Sequence, residues 1–367
     1  MRNSENEDYL TQQIITYIGN KRALLTFITK GLNVVRKNLR KEKLNLFDVF
    51  SGSGIVARYF KQYAEKLLVN DLEQYSKVIN ECYLANVSEI DRVKLKEIHR
   101  GLIAAVSDHP LEAGIITEHY APQHDDHIQP GERVFYTRRN AMYIDTMRQL
   151  IEGVDSEYQK FFLAPLLAEA SVHSNTSGVF KGFYKDRMTG LGQFGGSNQD
   201  ALLRIKGNIN LPMPVFSHFD CQTTVFQEDA NKMIQTAPEV DLAYLDPPYN
   251  QHPYGSNYFM LNLILENRVP AVISKVSGIP ENWKRSSYNK RQYAYEALAE
   301  LVLNIRAKYV LISFNSEGFI PLDTMKSMLK RIGKVRVLEA NYNTFRGCRN
   351  LSNRDAHVTE YLYLLEK

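Results

Sequence analysis

The sequence is poor in cysteine and has no long apolar run. Its 367 residues contain three cysteines (Cys82, Cys221 and Cys348), which lie far apart and form no CxxC pair. This spacing argues against a disulfide framework and a zinc site, so we expect reduced thiols and a cytoplasmic protein. No run of about 18 apolar residues is present, and the polar N-terminus lacks the apolar core of a secretory signal. We therefore expect neither a membrane span nor export.

A charge excess of one sign is also lacking. Lysine and arginine number 45 and aspartate and glutamate 41, which gives a net charge of +4. This excess is too small to make the whole chain a polyanion binder, so any basic surface is expected to be local. Apolar residues make up 44% and charged residues 23% of the chain, which is ordinary globular usage and excludes disorder as the main theme.

Alternating strand and helix patterns predict an α/β fold. Apolar spacing indicates two helices over residues 9–40, separated by a turn at 17–21. A buried-strand pattern at 44–50 is followed by a glycine-rich turn, a helical pattern and a second strand at 67–70 that leads to Asp71. Strand, glycine turn, helix and strand form the opening of a doubly wound sheet.

The pattern changes between residues 86 and 215, where polar helices, loops and a glycine-rich stretch replace the strands. The α/β rhythm then returns, with strand candidates at 225–226, 240–245, 309–314, 335–339 and 359–365. We therefore predict three segments: 1–85, the N-terminal helices and the first half of the α/β domain; 86–215, a mainly helical insertion; and 216–367, the second half, with a small insertion near 251–295.

The tetrapeptide Asp246-Pro247-Pro248-Tyr249 is the sharpest feature, and it ends a strong buried-strand pattern. Ligands bind outside the carboxyl ends of strands in open α/β sheets. Both prolines restrict the backbone, so the tetrapeptide is a stiff arm. The Asp246 carboxylate and the Pro247 carbonyl can accept the two N–H groups of a conjugated amine, and Tyr249 can stack on its ring. The plainer interpretation is a stiff turn with Asp246 as a helix cap.

Other motifs accompany this arm in a fixed order. They are Tyr17-Ile18-Gly19-Asn20-Lys21, Phe50-Ser51-Gly52-Ser53-Gly54 and Asp71, with softer matches at 174–178, 226–229 and 313–318. Together with the tetrapeptide, they resemble the Dam-like (alpha-class) DNA adenine-N6 methyltransferases, which use S-adenosylmethionine. The resemblance implies a Rossmann-like methyltransferase sheet in which the 86–215 insertion is the target-recognition domain. The segment 341–367 aligns only loosely, which leaves its role open.

The resemblance also implies the site residues. The catalytic ones are Asp246, Pro247 and Tyr249. The residues at S-adenosylmethionine are Tyr17, Lys21, Asp48, Phe50, Gly52, Gly54, Asp71, Asp229 and Asp246. Among these, Lys21 would pair with the methionine carboxylate of the cofactor, and Asp48 would approach the methionine amino group.

Each of these assignments has a plainer alternative. Lys21 can be a solvated lysine, and Asp48 an acid at a strand end. Asp71 can accept hydrogen bonds from ribose hydroxyls, but a dinucleotide enzyme uses the same geometry. Asp229 can accept from the adenine amino group of the cofactor or cap a helix. The aromatic residues after the tetrapeptide, Tyr254, Tyr258 and Phe259, fit either a pocket lining or a buried helix face.

Two basic segments are candidates for contacts with duplex DNA. They are Lys181, Lys185, Arg187, Arg204 and Lys206 in the large insertion, and Lys284, Arg285, Lys290 and Arg291 around Tyr288. Both fit phosphate contacts, and a solvated surface is the alternative for each. The run from His119 to His127 contains metal-ligand residue types but lacks zinc spacing, so we expect no metal.

The implied activity is methyl transfer from S-adenosylmethionine to N6 of an adenine turned out of the duplex. The resemblance leaves open whether a cognate restriction endonuclease acts alongside. Three alternatives remain at this point. The chain can be a methyltransferase for RNA adenine or a protein amide, a non-catalytic DNA-binding module on the same fold, or a nicotinamide-dependent dehydrogenase.

Overall fold

A single seven-stranded sheet forms the centre of the protein, described by a computed structural model over residues 4–343 and 357–367. The strands are β1 (Leu44–Asp48), β2 (Ala64–Asp71), β3 (Gln222–Gln227), β4 (Val240–Leu245), β5 (Ala307–Asn315), β6 (Lys334–Asn343) and β7 (His357–Glu366). Their order in the sheet is β3-β2-β1-β4-β5-β7-β6. Strands β1 to β5 are parallel, and β7 is antiparallel to both of its neighbours. This topology confirms the predicted Rossmann-like α/β fold and every strand candidate.

Fourteen helices lie among the described residues. They are α1 (Glu7–Thr11), α2 (Leu25–Leu39), α3 (Ile55–Lys61), α4 (Gln74–Tyr83), α5 (Arg92–Asp108), α6 (Ile115–Tyr120), α7 (Arg138–Glu152), α8 (Ser156–Val172), α9 (Leu202–Lys206), α10 (Ala230–Thr236), α11 (Tyr254–Asn257), α12 (Phe259–Glu266), α13 (Arg291–Asn304) and α14 (Leu322–Lys330). Short 3₁₀ turns occupy Arg22–Leu24, Val87–Glu89 and Ser287–Asn289.

Helices cover both faces of the sheet because its strands alternate their apolar side chains. In β1, Leu44 and Leu46 pack in one cluster with residues of α2 and α3. Phe47 points to the other face, where residues of α10, α13 and α14 form a second cluster. Two buried faces explain why the strands of this parallel sheet are nearly continuous apolar runs in the sequence.

The N-terminal segment differs from the prediction at residues 12–16, because the first predicted helix ends at Thr11, whereas the predicted turn at 17–21 is present. The adjacent residues Ile14 and Ile15 are both buried there, so their spacing reflects an extended segment pressed against the core. Side chains from distant elements accept its backbone N–H groups: Ser171 Oγ accepts from Thr16 at 3.1 Å. Tertiary hydrogen bonds thus replace those of a helix.

The named elements between residues 86 and 215, the predicted insertion, are helices and include α5 to α9. Helices α7 and α8 pack against α4 and α12 in one hydrophobic cluster that also includes Tyr9, Ile14 and Ile15. The inserted helices are therefore joined to the sheet layer through shared core residues. The boundaries at 86 and 215 stay predictions.

None of the helices described in 4–343 and 357–367 is long and apolar enough to cross a membrane. The same residues contain no group of three or more His, Cys, Asp or Glu side chains placed to hold a metal ion. Cys82 and Cys221 are buried free thiols. The third cysteine, Cys348, lies outside the described residues.

Candidate active site

A cavity opens at the carboxyl ends of β1, β2 and β4. This is the sheet edge where ligands of open α/β folds bind. Eight of the nine residues expected at the cofactor line it: Tyr17, Lys21, Asp48, Phe50, Gly52, Asp71, Asp229 and Asp246. The ninth, Gly54, lies just behind the lining as the N-cap of α3. Residues from five separate parts of the chain therefore meet at one site.

The glycine loop between β1 and α3 needs both of its glycines. Gly52 has a φ of +52°, and a Cβ there would lie 2.6 Å from Cε1 of Tyr17. Gly54 has a φ of +77°, and a Cβ there would lie 2.6 Å from Oδ1 of Asn80. Side chains at these positions would collide and also strain the left-handed backbone. The loop is thus fixed against Tyr17 on one side and α4 on the other.

Two acids follow the end of β2 and border the cavity. The Asp71 carboxylate accepts the backbone N–H of Gly52 at 2.8 Å and that of Glu73 at 2.9 Å. Burial raises the pKa of Asp71, and these backbone donors offset part of the rise. Burial likewise raises the pKa of Glu73 to about 7, with a smaller contribution from Asp71. Asn262 Nδ2 donates to Glu73 Oε2 at 2.7 Å.

Asp48, the last residue of β1, is the least satisfied acid of the cavity. Its side chain is buried, and neither carboxylate oxygen has a regular hydrogen bond from the described residues. The backbone of Phe50 and Ala57 faces it and lowers its pKa only slightly. Burial is the main cause of a pKa well above the usual aspartate range, and the nearby acids Asp246 and Asp71 add to it. A buried carboxylate without donors is a site for a cationic or N–H-bearing ligand.

Lys21 joins the N-terminal motif to the tetrapeptide. Its Nζ lies 3.2 Å from Asp246 Oδ1 and 2.9 Å from Glu360 Oε1, and all three side chains are largely or fully buried. Burial opposes the charged form of Lys21, but these two carboxylates outweigh it and raise its pKa well above the usual lysine value. Lys21 is therefore a buried cation between two acids and not a solvated lysine.

Three tyrosine rings hold the N-terminal motif against the segment after the tetrapeptide. Tyr17 stacks on Tyr254 at 5.0 Å and on Tyr258 at 4.8 Å between ring centroids. Tyr258 OH accepts the N–H of Ile18 at 2.8 Å, and Tyr254 OH donates to the carbonyl of Ile18 at 3.1 Å. Tyr254 lines the cavity, whereas Tyr258 and Phe259 are buried in the hydrophobic core.

Comparison with known proteins assigns this architecture to a family. Residues 17–328 match the model of the D12 class N6 adenine-specific DNA methyltransferases. The chain belongs to this family. The predicted enzyme class is thereby confirmed, and among the alternatives left open by the sequence the membership selects a DNA adenine methyltransferase.

Individual methyltransferases match along nearly the whole chain. The type II methyltransferase M.NlaIII of Neisseria lactamica is 29% identical over 364 residues, covering 96% of this chain and 99% of that protein. The type II methyltransferase M.CviAII of Paramecium bursaria Chlorella virus 1 is 29% identical over 360 residues, covering 96% and 98%. The type II methyltransferase M.FokI of Planomicrobium okeanokoites is 27% identical over 365 residues, which are 96% of this chain and 52% of that protein.

The tetrapeptide of this methyltransferase divides between the cavity and the protein interior. Asp246 and Pro248 line the cavity, whereas Pro247 and Tyr249 are outside the lining. The Tyr249 ring packs edge-on against Phe314 at 5.8 Å, and Lys21 Nζ lies 5.5 Å from its centroid. Burial raises the pKa of Asp246 to about 7, which Lys21 opposes and Glu360 reinforces.

Asp229 has the helix-cap role that was one of its two interpretations. Its side chain accepts the N–H of Asn231 at 3.0 Å at the start of α10, while the residue also lines the cavity. Beside it, the rings of Phe50 and Tyr288 meet edge to face at 5.1 Å. Tyr288 OH donates to Asn231 Oδ1 at 2.7 Å.

The basic candidates differ in their surroundings. Eight of them are exposed: Lys181, Lys185, Arg187, Lys206, Lys284, Arg285, Lys290 and Arg291. Lys284 also lines the cavity, and its Nζ donates to the carbonyl of Leu72 at 2.9 Å. Arg204 differs from the sequence interpretation because its guanidinium is used internally. It donates to the carbonyls of Val172, Ser174 and Thr176, beyond the end of α8.

Sequence reasoning missed three cavity or cluster residues: Glu73, Tyr288 and Glu360. Glu73 stands two positions after Asp71, so the acid pair itself was the available signal. Glu360 is a fully buried acid in β7, which is unusual in a sheet. Tyr288 had no local signal beyond its basic neighbours.

Proposed function

We propose that this methyltransferase transfers a methyl group from S-adenosylmethionine to N6 of an adenine turned out of duplex DNA. The observation that carries the proposal is the position of Asp246, at the end of β4 and in the same cavity as Gly52 and Asp71. Asp246, the proposed acceptor for the exocyclic amine, therefore lies in the same cavity as the glycine loop at Gly52 and the acid Asp71, which both suit a nucleoside ligand.

The residues of the cavity fit S-adenosylmethionine. The buried Asp48 carboxylate has no regular hydrogen bond from the described residues, which suits the methionine ammonium group. Asp71 has accepted two backbone N–H groups and retains lone pairs for ribose hydroxyls. Phe50 and Tyr288 offer aromatic faces beside Asp229 for the adenine ring. Lys21 already pairs with two protein carboxylates, so its proposed pairing with the methionine carboxylate has less support than the other contacts.

The proposed reaction requires the residues of the protein only to orient N6 and to accept one proton. When bound, S-adenosylmethionine supplies a methyl carbon on a positively charged sulfur. Asp246 and the Pro247 carbonyl would accept the two N–H groups of the target N6 and fix its orientation. Bond formation between the N6 lone pair and the methyl carbon would leave the carbon–sulfur electron pair on sulfur. N6 then releases one proton, which Asp246 is placed to receive and pass to water.

Access to N6 requires the target adenine to leave the duplex. Extrusion costs a few kcal/mol of stacking and pairing. Tyr249 would offset part of this cost by stacking on the base, worth about 1–3 kcal/mol in comparable single-strand systems. The exposed basic residues of both segments would hold the flanking phosphates.

The names of the relatives support a companion restriction endonuclease. M.NlaIII and M.CviAII are named type II methyltransferases, and the protein from Streptococcus sanguinis that is 28% identical over 375 residues is named modification methylase StsI. We infer that this chain likewise protects DNA against a separately acting endonuclease of the same recognition sequence.

The test of the activity is expression in a host free of DNA methylation, followed by sequencing with modification detection. We expect N6-methyladenine at one sequence motif, and no modification from Asp246→Ala. Purified protein supplied with S-adenosylmethionine should methylate duplex DNA and not RNA. Titration calorimetry should detect S-adenosylmethionine and not NADH. Unmodified DNA from a folded, S-adenosylmethionine-binding protein would refute the proposal.

The DNA contacts are tested separately with K290A/R291A. Loss of two phosphate contacts should weaken binding of every duplex and reduce the slope of log K against log salt by about one per contact. The matched control is K330A, an exposed lysine in the last turn of α14. Equal salt slopes in the wild type and K290A/R291A would remove this segment from the interface.

A further inference from the structure

Lys21, Asp246 and Glu360 form a buried charge cluster. Of these three residues, Glu360 lies outside the cavity lining. Its side chain is 0% exposed, and Oε1 lies 2.9 Å from Lys21 Nζ. Ser313 Oγ donates to the same oxygen, and Oε2 has no hydrogen-bond partner among the described residues. Burying a third charge beside an existing ion pair is costly unless the site uses it.

We propose that Glu360 is a positioning residue for methyl transfer. It holds Lys21 back from Asp246, so that Asp246 keeps acceptor capacity for the adenine amine, and it keeps the cluster negatively charged. The inference rests on the proposed function and adds to it a residue that acts through Lys21, without touching adenine or the methyl donor.

The direction of β7 brings Glu360 to this place. Strands β4 and β5 end at the cavity edge, and β7 runs in the opposite sense beside β5. Glu360 pairs in register with Asn315, the last residue of β5. The beginning of β7 therefore lies beside the ends of its parallel neighbours, at the same edge as Asp246.

The donor count of Lys21 explains the positioning role. An ammonium has three N–H donors and no acceptor. One direction is taken by Glu360 at 2.9 Å, and Asp246 is farther away at 3.2 Å. The Asp246 contact is an ion pair without hydrogen-bond geometry, since its Oδ1 has no hydrogen-bond partner. Without the Glu360 charge, the ammonium would turn fully to Asp246 and occupy the lone pairs that adenine needs.

The charge count gives the second part of the role. With both acids ionised, the three side chains together carry one negative charge, whereas Lys21 and Asp246 alone sum to zero. A positive charge is present at the reaction centre before transfer, on sulfur, and after it, on N6. Because Asp246 would lie beside N6, a preorganised negative cluster there stabilises the charge that develops on N6 more than the charge that starts on sulfur.

The test compares E360Q with the wild type in steady-state methylation of duplex DNA. We expect kcat to fall at least about tenfold. The loss should be smaller than the ~10²–10³-fold loss that is typical for a group that touches the reacting atoms. KM for DNA and the affinity for S-adenosylmethionine should stay near the wild-type values. E366Q is the matched control, because Glu366 lies on the same strand, is exposed and accepts a hydrogen bond from Tyr309 OH at 3.2 Å.

Action through Lys21 is tested by a double-mutant cycle with K21M. If Glu360 works by holding Lys21, E360Q should reduce kcat much less in the K21M background than in the wild type. A merely structural Glu360 would give equal effects in both backgrounds, or would lower thermal stability with kcat of the folded protein unchanged. Either result would overturn the inference.

The pH profile of kcat provides an independent readout. The charge of Glu360 raises the pKa of Asp246, so E360Q should move the acid limb to lower pH. The other ionisable groups around Asp246 are Lys21, Asp48, Tyr244, Tyr249 and Tyr254. All of them remain in E360Q and E366Q. An unshifted acid limb in E360Q would contradict the charge role. An inactive wild type would instead refute the proposed function, which keeps the two failures distinct.

Discussion

Strand β4 has a largely buried aspartate near its beginning and another just after its end. The two differ in how many partners neutralise their charge. At its beginning, Asp241 contacts Lys41 Nζ at 2.9 Å and Lys308 Nζ at 3.1 Å, and it accepts the N–H of Asn45 at 3.0 Å. Just after its end, Asp246 has the single cation Lys21, which it shares with Glu360. Asp241 thus has enough hydrogen-bond and ion-pair partners for its charge, whereas Asp246 has too few.

The pKa values of the two residues follow this difference. Burial would raise the pKa of Asp241, but the Asn45 N–H and the two lysines outweigh it and lower the pKa below the usual value. Burial raises the pKa of Asp246 to about 7 because one shared lysine does not compensate. The lesson is that satisfied acids stabilise the fold, whereas under-satisfied ones mark the edge where a ligand is expected to complete them.

Of the variants that test this comparison, D246N is expected to have the largest effect on methylation. The amide keeps the volume but replaces one acceptor oxygen by a donor, so N6 would lose its orientation. Methylation should fall by at least ~10²-fold, since a preorganised contact at the reacting group is removed. Single-turnover assays measure the loss, and gel shifts should show duplex binding retained. Methylation at the wild-type rate would contradict the role of Asp246.

The next largest effect is expected for D48N. Affinity for S-adenosylmethionine should fall about 10- to 100-fold, because a hydrogen bond to a charged group contributes about 1.5–3 kcal/mol. The free energy of unfolding of the ligand-free protein should rise, since an unsatisfied buried carboxylate is neutralised. Calorimetry and thermal melting measure the two quantities. D323N, at an exposed acid in the first turn of α14, is the control and should change neither.

At the opposite edge, D241N should affect stability alone. We expect the free energy of unfolding to fall by about 1–3 kcal/mol, because Lys41 and Lys308 lose their shared partner. Since the pKa of Asp241 is lowered in the folded protein, its contribution is present above its usual value of 3.8 and is lost as pH falls below it. Denaturant titration at two pH values checks this. A change in kcat of the folded variant would contradict the purely structural role of Asp241.

The smallest expected effect concerns pH and Glu73. Its pKa is about 7 in the folded protein against an ordinary value of 4.5, so the folded state binds the proton more tightly. Stability therefore falls as pH rises from about 4.5 to 7. E73Q should reduce this fall, as measured by thermal melting without ligand. E81Q, on the same helix and paired with Lys77 near the surface, should leave the slope unchanged.

Local sequence patterns were sufficient for the sheet and for most of the cavity. Buried strands are recognisable as short apolar runs, and the glycine loop and the tetrapeptide follow β1 and β4 directly. Because these strands are parallel neighbours, their following residues had to meet at one edge. Patterns failed at residues 12–16, where helical spacing occurs in an extended segment whose Thr16 N–H bonds to Ser171 Oγ.

The chain by itself determined the family-specific residues, their order and the edge of the sheet that they occupy, because strand ends and turn chemistry are local properties. Only the tertiary structure decided the charge state of the site. Lys21 and Glu360 are separated by most of the chain, and they meet because β7 enters the sheet antiparallel beside β5. Pairing of buried charges depends on which distant side chains exclude water together, and no local pattern encodes that.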